Sequence, residues 1–201
     1  MIKLYDFELS GHAHRVRLML SLLNLEYEKV SLDLANGEHK KEPYKSINPF
    51  SLVPVLDDDG VVIRDSVAIL AYLATKYGPQ WYPQEPEAVA RIHEWLSLST
   101  REIAEGPGRA RLITVFGADF DQALTIEESH ALLTKINDLL ADQDWMAINA
   151  PTIADIACYS YIAHAPEGKV SLDNYPNILR WLAKVEALEG FIPMQKTAID
   201  S

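Results

Sequence analysis

Apolar residues follow two rhythms along this chain. Up to residue 78, short alternating runs are interleaved with helical stretches, and past residue 86 only the helical spacing remains. Residues 2–7 alternate Ile2, Leu4 and the aromatics as a strand does. Ser10-Gly11-His12 then breaks the pattern. From residue 13 to 23 Val16, Leu20 and Leu23 recur at helical spacing, with Arg15 and Arg17 between them. Residues 27–33 predict a second strand, and 35–46, with Gly37 and Pro43, a loop or short helix. Residues 53–57 and Val61–Arg64, joined by Asp58-Asp59-Gly60, predict a β-hairpin that runs straight into an apolar helix, Ser66–Tyr77. The order β-α-β, irregular crossover, β-β-α predicts a compact α/β sandwich.

The segment from Gly78 to Pro86 carries prolines at 79, 83 and 86 and marks the clearest boundary. Beyond it, residues 87–103 are periodic through Val89, Ile92, Leu96 and Ile103. Gly106-Pro107-Gly108 interrupts the pattern, and residues 109–116 resume it. Thr125-Ile126-Glu127-Glu128 predicts a capping box opening a helix through Leu140. Thr152-Ile153-Ala154-Asp155, after Pro151, predicts the same device in its acidic form, opening an apolar helix to His164. A last amphipathic helix is expected over 176–188, closed by Gly190. The expected layout is therefore an α/β domain at 1–78, a linker at 79–86 and an all-α domain at 87–201. A chain of 201 residues accommodates domains of about 80 and 120 residues.

Composition narrows the classes. Hydrophobic residues make up 48% and charged residues 23%, as in an ordinary soluble globular protein. The net charge is −11. Residues 1–78 hold 9 basic and 11 acidic side chains, and residues 79–201 hold 9 and 18, so the acidity sits in the second part. Such a chain, with no basic cluster interleaved with aromatics, is a poor match for nucleic acid. Cys158 is the single cysteine, which excludes an intrachain disulfide and fits a reducing compartment. Charge appears too early for a secretory signal, and no apolar run approaches the ~20 residues of a membrane span. A cytoplasmic location and no membrane partner are expected.

Several constellations admit two readings each. Val53-Pro54 is either an ordinary strand-start proline or a cis turn that presents the Val53 backbone to a ligand's main chain. Asp65-Ser66 is either a helix cap or a cradle, with free N–H groups and the Ser66 hydroxyl for a carboxylate and Asp65 for an ammonium group. Ser10 either caps the next helix or aims a hydroxyl at an anion such as a thiolate. His39 is either solvated or beside a cleft, and Arg109 and Arg111 are either a solvated face or a pocket lining. Cys158, in an apolar helix, reads as an inert core residue. His93, His130 and His164 lack metal-ligand spacing, so no metal is expected. No P-loop, nucleophile elbow or dinucleotide fingerprint occurs.

Taken together, four of these stretches resemble the cytosolic glutathione S-transferase family over nearly the whole chain. NPFSLVPVL followed by RDSVAIL is similar to the family's glutathione site, and SGHAHRVRLMLSLLNLEYE to its catalytic loop and first helix. GEHKKEPYKSINP places a histidine nine residues before Asn-Pro, as theta-like members do, and PTIADIA resembles the capping box of the second domain. The resemblance implies a thioredoxin-like N-terminal domain plus an all-α helical-bundle C-terminal domain. It also implies a homodimer, glutathione as cosubstrate and a small electrophilic substrate.

Carried over by position, Ser66 and its N–H bind the γ-glutamyl carboxylate and Asp65 the γ-glutamyl amine. Val53, before a cis Pro54, pairs with the cysteinyl main chain, and His39 reaches the glycyl carboxylate. Ser10 faces the sulfur, whose thiol has a pKa of about 8.5 when free. Phe7, Arg109, Arg111 and Phe116 are expected on the electrophile's side. Three positions depart from the family's pattern. Leu52 stands where many members have a polar contact to the glycyl carboxylate, a role that Lys40 is left to fill. His12 stands where relatives have Cys, Asn or Ser, and so is a second candidate for the sulfur. Gly11 removes a serine used by delta- and theta-like members. The subclass, among theta-, zeta- and beta-like patterns, stays open. So do a glutathione-dependent peroxidase, disulfide reductase or isomerase, and a non-catalytic binding module, on the same fold.

Overall fold

In the computed structural model, which describes residues 1–199, the chain opens with strand β1 (Ile2–Asp6). Its Ile2, Leu4 and Asp6 point to one face and are buried, the alternation of a pleated strand. Helix α1 (Gly11–Leu22) crosses to β2 (Tyr27–Ser31), which pairs parallel to β1 with Ile2 opposite Tyr27. A 3₁₀ turn, Glu38–Lys40, and the short helix α2 (Tyr44–Ile47) make up the crossover. Strands β3 (Val55–Asp58) and β4 (Val61–Arg64) complete a four-stranded mixed sheet in the order β2-β1-β3-β4, and α3 (Ser66–Tyr77) follows. The ladder starts at Val55 rather than at residue 53, because Pro54 has no N–H to contribute and its peptide bond is cis.

The sheet's faces are used differently. Leu4 and Leu56 face the main core with α1 and α3, while Val55 joins Leu32 and Tyr44 in a small cluster under α2. Both arginines of α1 are buried, because the helix lies between the sheet domain and a helix of the second domain. Arg17 meets the buried Asp6 carboxylate at 2.5 Å and donates to the Glu8 carbonyl at 2.8 Å. Burial pushes the Asp6 carboxyl above its usual range despite that partner.

The second half is helical throughout, with α4 (Pro86–Thr100), α5 (Arg109–Phe116), α6 (Gln122–Leu139), α7 (Ile153–Ala163) and α8 (Pro176–Glu186). The interruption expected at 106–108 is a π-helical turn, Ala104–Gly108, that accommodates Pro107 and leads directly into α5. The capping box expected at Thr125 does not form. Helix α6 begins three residues earlier, where Asp121 accepts from the Leu124 N–H at 3.0 Å, and Thr125 instead donates to the Asp121 carbonyl at 2.6 Å. The box at Thr152 does form. Asp155 accepts from the Thr152 N–H at 2.8 Å, and its other oxygen accepts from the Met146 N–H and the Trp181 indole, both at 2.9 Å. With these partners α7 is buried from Ile153 to Ile162, Cys158 included, and forms the axis of the bundle.

One buried titratable group joins both halves to the C-terminal segment. His14 on α1 bonds the Ser160 hydroxyl at 2.9 Å through Nδ1 and the Ile192 carbonyl at 3.0 Å through Nε2. Burial pushes its pKa down from 6.5 to about 3, so the folded protein keeps it neutral. Below pH 6.5 the unfolded chain takes up a proton at this site that the fold refuses. Stability should therefore fall as pH drops from 6.5 towards 5, by about 1.4 kcal/mol per pH unit from this one group. Urea melts of His14→Gln should show a pH slope shallower by one proton, and an unchanged slope would contradict the assignment.

Candidate functional site

The loop from Phe7 to Ser10 delivers the chain from the end of β1 to the start of α1. Ser10 is the N-cap of α1, its Oγ accepting from the Ala13 N–H at 3.2 Å. Capping occupies a lone pair of the oxygen and leaves its O–H proton to donate elsewhere. Both readings of this serine are thus compatible in one geometry. Gly11 packs against the face of Tyr161 from α7, so closely that a Cβ would lie 2.6 Å from the ring. The missing serine at this position is explained by that contact: there is no room for any side chain. Gly108 approaches the same ring from the second domain, where a Cβ would lie at 3.3 Å.

His12, one residue on, sits edge-on to Tyr161 with ring centres 5.1 Å apart. Its Nδ1 lies 3.4 Å from the Ser66 hydroxyl. Burial, with the Arg15 charge nearby, pushes its pKa from 6.5 to about 3, so the imidazole is neutral at pH 7. A neutral imidazole offers one N–H and one lone pair. If Nδ1 accepts the Ser66 proton, Nε2 carries the hydrogen and is a donor.

Ser10 and His12 open onto a cleft of about 590 Å³ between the two halves of the chain. Phe7, Arg109, Arg111 and Phe116, all expected on the substrate side, line it with them. The two arginines differ in what they do. Arg109 is half-buried, stacks 5.0 Å over the Phe120 ring and is 3.7 Å from Glu105. Arg111 is buried at 2% exposure and committed. It bonds Glu167 at 2.6 Å and donates to the Leu9 carbonyl at 2.8 Å, the residue before Ser10. Glu167 also accepts from the Thr197 N–H at 3.0 Å. Burial works to raise the Glu167 carboxyl, but its hydrogen bonds from Thr197, Arg111 and His164 outweigh this and hold it below the usual range. Arg111 therefore holds the Ser10 loop in place across the domain boundary.

The glutathione-side residues gather at the α3 N-terminus and the loop before it. Asp65 is the α3 N-cap, accepting from the Val67 and Ala68 N–H groups at 2.9 and 3.1 Å. Its φ of 74° with ψ of 127° lies in a region that L-residues rarely occupy, at a cost of about 1–3 kcal/mol. Ser66 is buried behind it and connects to the cleft through His12. Val53 precedes the cis Pro54, and the adjoining Leu52 carbonyl is fixed by the Tyr44 hydroxyl at 2.5 Å and the Asn48 amide at 2.8 Å. The Leu52 side chain is 66% exposed. His39 and Lys40 lie on the 3₁₀ turn outside the cleft lining, with the His39 Nδ1 buried and without a partner among the described residues. Among the described residues no three His, Cys, Asp or Glu side chains converge as metal ligands, and no helix is long and apolar enough to cross a membrane.

Three residues of this region carried no recognisable signal. Tyr161 is one aromatic in an apolar helix, Glu167 one acid in a short turn, and Arg15 one cation among the apolar positions of α1. Each acquires its place only through tertiary packing.

This is a thioredoxin-like domain joined to a helical bundle, with a hydroxyl and a neutral imidazole facing the cleft between them. Residues 4–81 match the family model for the N-terminal domain of glutathione S-transferase, and residues 121–189 match that for its C-terminal domain. The chain is 28% identical to glutathione S-transferase PARB of Nicotiana tabacum over 95% of both chains. The crystal structure of a glutathione S-transferase from Pseudomonas fluorescens superposes with a TM-score of 0.91, at 28% identity, covering 97% of this chain and 99% of that one. A possible glutathione S-transferase from Rhodopseudomonas palustris gives 0.87 at 30% identity, covering 100% and 93%. The chain belongs to the glutathione S-transferase family.

The Gly11–Tyr161 contact makes a simple forecast. Gly11→Ala should lower stability by about 1–3 kcal/mol through overpacking. Combining it with Tyr161→Leu should recover part of that loss, as read by denaturant melts of the double-mutant cycle. Additive losses would show that the two residues do not press on each other.

Proposed function

We propose that this protein transfers glutathione to a small electrophile, with residues 1–78 binding glutathione, 79–86 as linker and 87–201 supplying the electrophile's side. The observation that carries this is the position of Ser10. Its hydroxyl proton is left free by the capping geometry, at the mouth of a largely apolar cleft. Ser10 donates that proton to the glutathione sulfur and so favours thiolate near neutral pH. His12, neutral, is a second donor beside it. The cleft residues Phe7, Phe116 and Arg109 hold the electrophile, and the new carbon–sulfur bond forms as the electrophile's leaving group departs.

The remaining peptide contacts follow the family pattern at the α3 end. The Ser66 N–H and hydroxyl take the γ-glutamyl carboxylate, and the Asp65 oxygen not used in capping takes the amine. Val53 pairs with the cysteinyl main chain, and His39, whose Nδ1 lacks a partner among the described residues, takes the glycyl carboxylate with Lys40. The implied homodimer belongs to the same proposal. Phe50 and Leu52, exposed at 76% and 66%, are apolar surface that a second copy would cover.

Calorimetry should detect glutathione binding in the millimolar range or tighter. Ser10→Ala should raise the apparent pKa of bound glutathione, followed by thiolate absorbance, while leaving affinity nearly unchanged. Asp65→Ala should instead weaken binding about tenfold, or roughly 1.4 kcal/mol. Absence of glutathione binding would sink the proposal. A pKa rise in His12→Ala but not in Ser10→Ala would transfer the role to His12. Turnover of a halonitroarene, as against a hydroperoxide, a mixed disulfide or maleylacetoacetate, separates transfer from the other glutathione chemistries.

A further inference from the structure

Three arginines are buried near the boundary between the two halves, and two of them have carboxylate partners: Arg17 has Asp6, and Arg111 has Glu167. Arg15 has none. It is completely buried, and its Nε and Nη2 have no hydrogen-bond partner among the described residues. Its one polar contact is from Nη1 to the Ser66 hydroxyl oxygen, at 3.3 Å. The guanidinium carbon lies 5.9 Å from the centre of the Tyr161 ring, a weak substitute for a counter-ion. A buried guanidinium without an anion is costly, and such groups persist where something other than stability retains them.

The surroundings of Arg15 are built to receive negative charge. Its guanidinium points at the N-terminal end of α3, a 12-residue helix whose own partial charge there is positive. Two positive ends thus converge on Ser66. The acid nearest in sequence to that end, Asp65, forms no ion pair with Arg15 within 4 Å, and its Oδ1 is occupied by the Val67 and Ala68 N–H groups. That cap leaves the Ser66 N–H unused. Because the Ser66 oxygen accepts from Arg15, its own proton must point away from Arg15. The acceptor in that direction is His12 Nδ1 at 3.4 Å, long for a hydroxyl donor and readily exchanged for a better one.

We propose that Arg15 is the buried cation of a carboxylate site at the α3 N-terminus, acting through Ser66 on the α-carboxylate of the glutamyl end of the ligand. This rests on the glutathione reading given above. Arg15 is a positioning residue: its charge and its bond to the Ser66 oxygen aim the Ser66 proton outward, and on binding that proton turns from His12 to the carboxylate. The free Asp65 oxygen serves the neighbouring ammonium group, so the two charges of the glutamyl end are recognised by different residues.

The experiment is titration calorimetry with three peptides on the wild type, Arg15→Met and Arg15→Lys, with melting temperatures alongside. The peptides are glutathione, 4-aminobutanoyl-cysteinylglycine, which lacks only the glutamyl α-carboxylate, and glutaryl-cysteinylglycine, which lacks only the amine. Arg15→Met should weaken glutathione and the glutaryl peptide about tenfold and leave the 4-aminobutanoyl peptide unchanged. It should also keep or raise the melting temperature, since an unpaired buried charge is gone. Arg15→Lys should hold glutathione within about threefold of wild type. If Arg15→Met does not fold, Arg15→Gln carries the same three-peptide comparison. Equal losses for all three peptides, or no loss for any, overturn the role of Arg15 while leaving glutathione binding intact. A wild type that does not bind glutathione overturns the functional reading and this proposal with it.

Discussion

The site depends on how closely α1 and the π-helical turn before α5 approach Tyr161. Gly11 and Gly108 press on the same ring from the two halves of the chain, where a Cβ would lie 2.6 Å and 3.3 Å from it. Through that contact the first turn of α1, with Ser10 and His12, faces the start of α5, with Arg109 and Arg111. The cleft that holds Ser10 and His12 is lined from both halves of the chain. A ring fixed on a fully buried helix provides a rigid reference, and α7 is fixed in turn by the Thr152–Asp155 box and the Trp181 indole. Packing at interior density makes such a junction intolerant of one extra carbon.

Buried charge around this junction is handled in three different ways. Arg17 is paired with Asp6 on the neighbouring strand and secures the end of β1, where the Phe7–Ser10 loop departs. Arg111 is paired with Glu167 and spends a further N–H on the Leu9 carbonyl, so the loop is restrained from the opposite domain. Arg15 is given only a hydroxyl. Paired charges of this kind specify geometry more than they stabilise, since removing either partner strands the other in a dry interior. The first two arginines can thus be assigned to architecture, and the third stands apart in having no carboxylate partner among the described residues.

Much of the architecture was legible because local signals and global packing agree. The period-2 run at Ile2–Asp6, the short apolar run at Val61–Arg64, the Asp59-Gly60 turn and the Thr152 box each act through near neighbours. Where two local signals competed, the reading went astray. Thr125 and Glu128 match a capping box, yet Asp121 caps the helix four residues ahead of Thr125, and the Thr125 hydroxyl turns back onto the helix. Gly-Pro-Gly at 106–108 reads as a break, but its glycines are there for close approach and its proline fits a widened turn. In the site, Phe7, Ser10, His12, Arg109, Arg111 and Phe116 line one cleft, and the roles assigned to them are proposals. Tyr161, Glu167 and Arg15 were illegible for one physical reason. Tyr161 meets Gly11 and His12 at the other end of the chain, Glu167 pairs with Arg111 56 residues away and Arg15 donates to Ser66 51 residues away, and no periodicity records that.

The state of His12 follows from the same packing and limits what it can do. Enclosed by Tyr161 and lying near the Arg15 charge, its ring cannot hold a proton at neutral pH. It is therefore unsuited to take up and keep a proton, and suited to donate a hydrogen bond from a neutral ring. Ser10 is a donor for a different reason, its oxygen being engaged by the helix it caps. Two neutral donors at the head of a helix stabilise an anion without becoming charged themselves, and the helix end adds its own partial positive charge. An arrangement of that kind lowers the energy of a nearby anion and requires no base in the protein.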